Sequence, residues 1–137
     1  MGTGGGTAFS VPRGARYDDI NGVPDAAKLW RALDPGQAWN ASNYNPQAPS
    51  NSVSPAALRT EELSCGISDS TNIGAFRARF FGWKVAEFSV AAARTAGYIV
   101  MRDPVDTTHV LLYDRNDPNA RASKSTSKKL ANSAVLV

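Results

Sequence analysis

The stretch from Val85 to Tyr113 constrains the fold more than any other part of the chain. Val85–Phe88 is a short apolar run of strand type, and Ser89 follows it where a helix N-cap belongs. The alanine-rich segment Val90–Ala96 then stops at Gly97, the residue that ends a helix in a left-handed conformation without steric penalty. Two β-rich runs, Tyr98–Arg102 and His109–Tyr113, flank Asp103-Pro104-Val105-Asp106-Thr107-Thr108, and so spaced they predict a hairpin closed by a six-residue loop. The expected class is therefore α+β: a small, mostly antiparallel sheet with helices packed on one face, in a single domain.

The flanking segments fill in the rest. Pro24 and Asp25 stand where helix starts favour them, and Ala26, Leu29, Trp30 and Leu33 recur at helical spacing before Asp34-Pro35-Gly36. This predicts a short helix over Asp25–Leu33, with a strand as the alternative. Residues 37–55 are Asn, Ser, Pro and Gln around Trp39 and Tyr44, a long polar loop with two aromatic anchors. Ser54-Pro55 opens a helical turn through Arg59, and Glu62–Ile67 reads as a strand. Thr71–Phe80 reads as a helix with Ile73, Phe76 and Phe80 on one face and a stop at Gly82. A basic C-terminal helix is expected over 121–133, its regular part Ser123–Ser133, followed by a short strand at Val135-Leu136-Val137.

With 137 residues the chain fits one core, and a domain of that size buries roughly 70% of the surface its unfolded form exposes. We place that domain at 21–137, preceded by a flexible glycine-rich arm over 1–20, since four glycines among the first six residues lose much backbone entropy if ordered. One cysteine, Cys65, excludes an internal disulfide, and one histidine, His109, leaves no His/Cys cluster for a metal. No apolar run reaches membrane-spanning length and no secretory leader opens the sequence, so a soluble cytoplasmic protein with no membrane partner is expected. No metal or other cofactor is expected.

Charge is placed unevenly. Residues 1–114 hold ten Lys/Arg against eleven Asp/Glu, whereas residues 115–137 hold five against one. Arg121, Lys124 and Lys128 would align on one side of the C-terminal helix, with Lys129 adjacent, a stripe able to contact nucleic-acid phosphates or simply to face solvent. No aromatic residue lies in that segment to stack on bases.

Four further residues, His109, Arg31, Ser64 and Glu87, are catalytic candidates. His109 follows Asp103 and Asp106, either of which could orient its ring; the alternative is a structural histidine bonded to the neighbouring loop. Arg31, flanked by apolar residues, either emerges from an amphipathic helix or is partly buried and paired. Cys65 lies in a short β-like run with no activating base in view, so it reads as a small core residue. Adjacent Glu61 and Glu62 read as surface charges.

Leu29-Trp30-Arg31-Ala32-Leu33, Glu62-Leu63-Ser64, Gly82–Phe88, Arg94 with Gly97, Asp103-Pro104 and His109-Val110-Leu111 together resemble an order found in small uncharacterised bacterial proteins, which implies a bacterial or phage setting. The order of arginine, serine and acid is also similar to that of ADP-ribosyltransferase-like toxins, whose early arginine or histidine and later serine hold a nicotinamide cofactor. That likeness implies those roles for Arg31, Ser64 and Glu87, although the family's Ser-Thr-Ser strand is here Leu63-Ser64-Cys65. Because no catalytic constellation is apparent, the expected function is that of a non-enzymatic interaction or assembly protein acting through a protein partner or neighbouring subunit. A small toxin-like enzyme and a phosphate-backbone binder are the alternatives.

Overall fold

The computed structural model describes residues 11–37, 39–43 and 45–137. Six strands form one antiparallel sheet: β1 Lys28–Leu33, β2 Leu63–Ile67, β3 Lys84–Ser89, β4 Tyr98–Arg102, β5 His109–Asp114 and β6 Val135–Leu136. Their spatial order is β4-β5-β2-β1-β3-β6. Three helices accompany them, α1 Ile73–Arg79, α2 Val90–Ala96 and α3 Lys124–Ser133. The α+β class and the antiparallel hairpin of β4 and β5 are as the sequence predicts.

Segment 25–33 is the main departure, because from Lys28 it is a strand and not a helix. An apolar cluster at Leu29, Trp30, Ala32 and Leu33 fits a helical stripe and a strand buried on both faces equally well. Here β1 lies inside the sheet between β2 and β3. Leu29 and Leu33 enter the main core on one face, while Trp30 and Ala32 pack with Phe76 and Val85 on the other. Tertiary burial on both sides thus overrides the helical spacing.

The main core lies beneath α2, α3 and a single turn at Pro55–Leu58. Leu63, Cys65, Ile67, Phe88, Val100 and Leu112 of the sheet meet Leu58, Val90, Ala93 and Leu130 there. Ser89 and Ser123 each cap their helix by accepting from a backbone N–H, Ala92 and Thr126 respectively. Gly97 ends α2 at φ 117°, a conformation that favours glycine, and a Cβ there would sit 3.2 Å from Thr126 Oγ1. Helix α1 is laid on the opposite face, so two helices share one side and the third covers part of the other. Its seat is Gly66, where a Cβ would fall 2.6 Å from Phe76 Cδ1.

Of the expected arm over 1–20, residues 1–10 lie outside the described residues, and from Val11 onward the segment is docked. Val11 packs on Ile99, Met101, Leu111 and Tyr113, and the Arg16 guanidinium stands 4.6 Å from the centre of the Tyr113 ring. Asp19 N–H donates to Val100 C=O at 2.8 Å, covering the outer edge of β4. The loop over 37–55 is likewise tied down. Asn40 bridges Val53, Ser54 N–H donates to Trp39 C=O at 2.8 Å, and Trp39 packs on the main core. The second expected anchor, Tyr44, lies outside the described residues. No described helix is long and apolar enough to cross a membrane.

Candidate functional site

The four catalytic candidates do not share a cleft. Arg31 alternates with Trp30 and Ala32, so its side chain leaves β1 on the face of the main core, whereas Glu87 and Ser64 stand on the opposite face. There Glu87 Oε2 accepts the Trp30 indole N–H at 2.9 Å, and Lys28 Nζ lies 3.6 Å from Glu87 Oε1. His109, Gly66, Trp30 and Glu87 form one row across four strands. His109 and Glu87 are thus three strand spacings apart, about 14 Å, with the seat of Phe76 between them. Burial with partial pairing, the second of the two readings of Arg31, is what the structure contains. Its Nη1 donates to the Ser64 carbonyl at 3.0 Å, and burial lowers the guanidinium pKa from its ordinary value.

An imidazole, a guanidinium and a carboxylate do meet, but the arginine is Arg79, at the end of α1. Arg79 Nη1 donates to His109 Nε2 at 2.7 Å and lies 3.5 Å from Asp106 Oδ2. A guanidinium only donates, so Nε2 carries the lone pair and the ring proton sits on Nδ1. That Nδ1 stands 3.4 Å from Asp106 Oδ2 and has no hydrogen-bond partner among the described residues. Burial lowers the His109 pKa; Asp106 opposes the shift and Arg79 adds to it. Burial acts to raise the Asp106 carboxyl, but bonds from the Thr108 hydroxyl and N–H, with the charges of His109 and Arg79, offset that and leave it lowered. The other candidate orienter, Asp103, is fully buried and spends Oδ1 on the N–H groups of Val105 and Asp106. A neutral imidazole whose lone pair is already taken is not poised to abstract a proton; the group ties α1 to the hairpin loop.

Cys65 is a core residue, 1% exposed, and burial pushes its thiol up to about 12. Glu62 Oε2 accepts a hydrogen bond from the Tyr113 hydroxyl at 2.6 Å. Among the described residues no group of three or more His, Cys, Asp or Glu could hold a metal ion.

The basic C-terminal segment differs from the expected helix over 121–133 in one respect. Helix α3 begins at Lys124 behind the Ser123 cap, so Arg121 precedes it, and Arg121 Nε donates to Arg59 C=O at 3.4 Å. Lys124, Lys128 and Lys129 are exposed on α3, and none of the four cations forms an ion pair among the described residues. Lys128 also borders a cavity of about 730 Å³ between α3 and the loop over 37–55.

A feature the sequence reading passed over lies where α1 turns into β3. Rings of Trp30, Phe76, Phe80 and Trp83 follow one another at centroid separations of 6.2, 5.0 and 5.4 Å, from the sheet face out to the surface. Gly82, at φ 85°, turns the chain. Phe81 projects there, 94% exposed, beside exposed Trp83 and Lys84. Arg77 and Lys84 form no ion pair among the described residues. The signal was present in Arg77-Ala78-Arg79-Phe80-Phe81-Gly82-Trp83-Lys84, where cations bracket a run of aromatics, but helical spacing assigns only Phe80 to the core and gives Phe81 no role.

No protein-family model matches the chain, and neither a curated protein nor a solved structure does.

Proposed function

We propose that the protein acts by binding a protein partner, not by catalysis, and that the α1–β3 turn is the contact. The observation that carries this reading is Phe81, a large apolar side chain 94% exposed at the tip of the turn. A single exposed apolar residue is ordinary, but here exposed Trp83 lies two residues on, and the cations Arg77 and Lys84 lie four residues before and three after it in the chain. Aromatic and arginine side chains supply most of the energy at protein interfaces. The chemistry fits a partner with an apolar pocket rimmed by carboxylates. Further support comes from the described ionisable groups, since His109, Arg79, Asp106, Glu87 and Glu62 are engaged with one another or with tyrosine and tryptophan.

A photo-crosslinking residue at position 81 of the full chain tests this in the native cell. The expected result is one dominant crosslinked protein, weakened by Lys84→Glu and missing when the crosslinker is moved to Asn119. No product at position 81 beyond the Asn119 background would overturn the reading.

A second reading has one observation in its favour, the exposed Lys124, Lys128 and Lys129 on α3. If these and Arg121 engage duplex phosphates, the log–log dependence of affinity on salt has a slope of roughly −3 to −4. A flat dependence rules it out.

A further inference from the structure

The two central strands of the sheet are paired over only part of their length. Between β1 and β2 the paired register is Leu29 with Ile67 and Trp30 with Gly66, extended by the bond from Ser68 N–H to Lys28 C=O at 3.0 Å, and it does not continue toward Leu33 and Leu63 although both strands do. Beyond Trp30 the strands part, and the Arg31 side chain enters the gap to bond the Ser64 carbonyl in place of a ladder bond. A guanidinium keeps its charge at any physiological pH, and burying it without a counter-charge is costly. Among the described residues Arg31 has no carboxylate within ion-pair distance, and its single hydrogen bond, to Ser64, uses one donor. The neighbouring Cys65 thiol, raised to about 12 by burial, stays neutral.

Arg31 borders a cavity of about 530 Å³, within the size range of small-molecule sites. Leu33, Ala57, Trp39 and Trp83 give it apolar and aromatic walls. Thr60, also in its wall, carries a buried hydroxyl with no hydrogen-bond partner among the described residues. Asp34 lies at the rim, where its Oδ1 accepts the Gly36 N–H at 2.9 Å.

We propose that this cavity binds a small organic carboxylate with a flat apolar body, the carboxylate on the Arg31 guanidinium and Thr60 hydroxyl, the body against Trp39 and Trp83. The planar fork of a guanidinium suits a carboxylate taken through two N–H groups, and a hydroxyl completes the set. One cation, with an acid at the rim, matches a monoanion better than the two charges of a phosphate. Trp83 borders both this cavity and the proposed partner contact, but Arg31, Thr60 and Trp39 lie outside that contact and Phe81 lies outside the cavity wall, so the two readings fail separately.

The test is titration of the full chain with 2-naphthoate, with 2-naphthamide and inorganic phosphate as controls, followed through the indole N–H signals in a nuclear magnetic resonance spectrum. Trp39→Phe and Trp83→Phe assign the signals, and Trp30, held by Glu87 and outside the cavity wall, is the internal reference. The expected result is movement of the Trp39 and Trp83 signals but not that of Trp30, with the carboxylate preferred over the amide by about tenfold or more. Arg31→Met should erase that preference. Thr60→Val, which leaves the buried charge in place, should reduce it and serves if the first variant does not fold. Equal affinity for carboxylate and amide, a response to phosphate alone, or an unchanged preference in Thr60→Val would overturn the proposal. Phe81→Ala should leave the titration unchanged and affect only the crosslinked partner.

Discussion

Gly66 lies directly beneath the ring of Phe76, so close that a Cβ at this position would stand 2.6 Å from Phe76 Cδ1. The absent side chain lets α1 rest on the sheet and bring Arg79 to His109. Gly66→Ala should therefore lower stability by about 1–3 kcal/mol through overpacking, read as a reduced urea midpoint. In a Phe76→Ala background the same change should cost much less, because the two residues share one space. Additive costs would show that the contact is not what excludes a side chain.

Arg94, near the end of α2, gathers the chain between Asp18 and Asp25. Its Nε donates to Asp18 Oδ1 at 3.0 Å, its Nη1 to Val23 C=O at 2.9 Å and Asp25 Oδ1 at 2.6 Å, and its Nη2 to Asp19 C=O at 3.1 Å. With only 13% of this side chain exposed, Arg94→Met should cost about 2–3 kcal/mol. Amide exchange at Asp19 and Val100 should accelerate before any other part of the sheet. Exchange that rises uniformly would mean the arginine supports the whole fold and not this one strap.

His109 makes stability depend on pH in a known direction. Its pKa is lowered in the fold by burial, so below the unfolded-state value of about 6.5 the unfolded chain binds more protons and folding weakens. Stability from this group is complete above that pH and declines as the solution is acidified toward the folded pKa. Asp69, whose bond from Arg102 outweighs burial, and Asp106 have lowered pKa values too, but their contribution is lost only below the ordinary carboxylate value near 3.9. Urea midpoints between pH 7.5 and about 5, a window that separates the two groups, should fall in the native chain and hold nearly level in His109→Gln. Equal slopes in both proteins would assign the effect elsewhere.

Cys65 should be chemically silent while the chain is folded. A thiol raised to about 12 has almost no thiolate at pH 8, so alkylation by iodoacetamide should run on the order of a thousandfold slower than in urea. Comparable rates in the two conditions would show the core opening around this residue.

Local signals carried much of the architecture. The Ser89 cap, the Gly97 stop and the six residues between the β4 and β5 runs are short-range chemistry, and each stands where it was expected. Strand β1 was hidden because its burial on both faces comes from β2, β3 and α1, all distant in sequence. Once that segment is a strand, Arg31 and Glu87 fall on opposite faces, a parity that no helical reading contains. The Arg79–His109 pairing spans thirty residues and depends on where α1 lands. Phe81 was legible as a residue but not as an exposed one, since exposure depends on what the turn at Gly82 leaves uncovered.

Between β1 and β2 the sheet is held by two residue pairs and the bond from Ser68 N–H to Lys28 C=O, against six pairs between β1 and β3 and four between β2 and β5. The trios β4-β5-β2 and β1-β3-β6 are each more extensively laced than they are to one another. Parting of the sheet's interior should thus follow this seam, letting a small guest reach Arg31 while the β1–β3 and β2–β5 ladders remain intact.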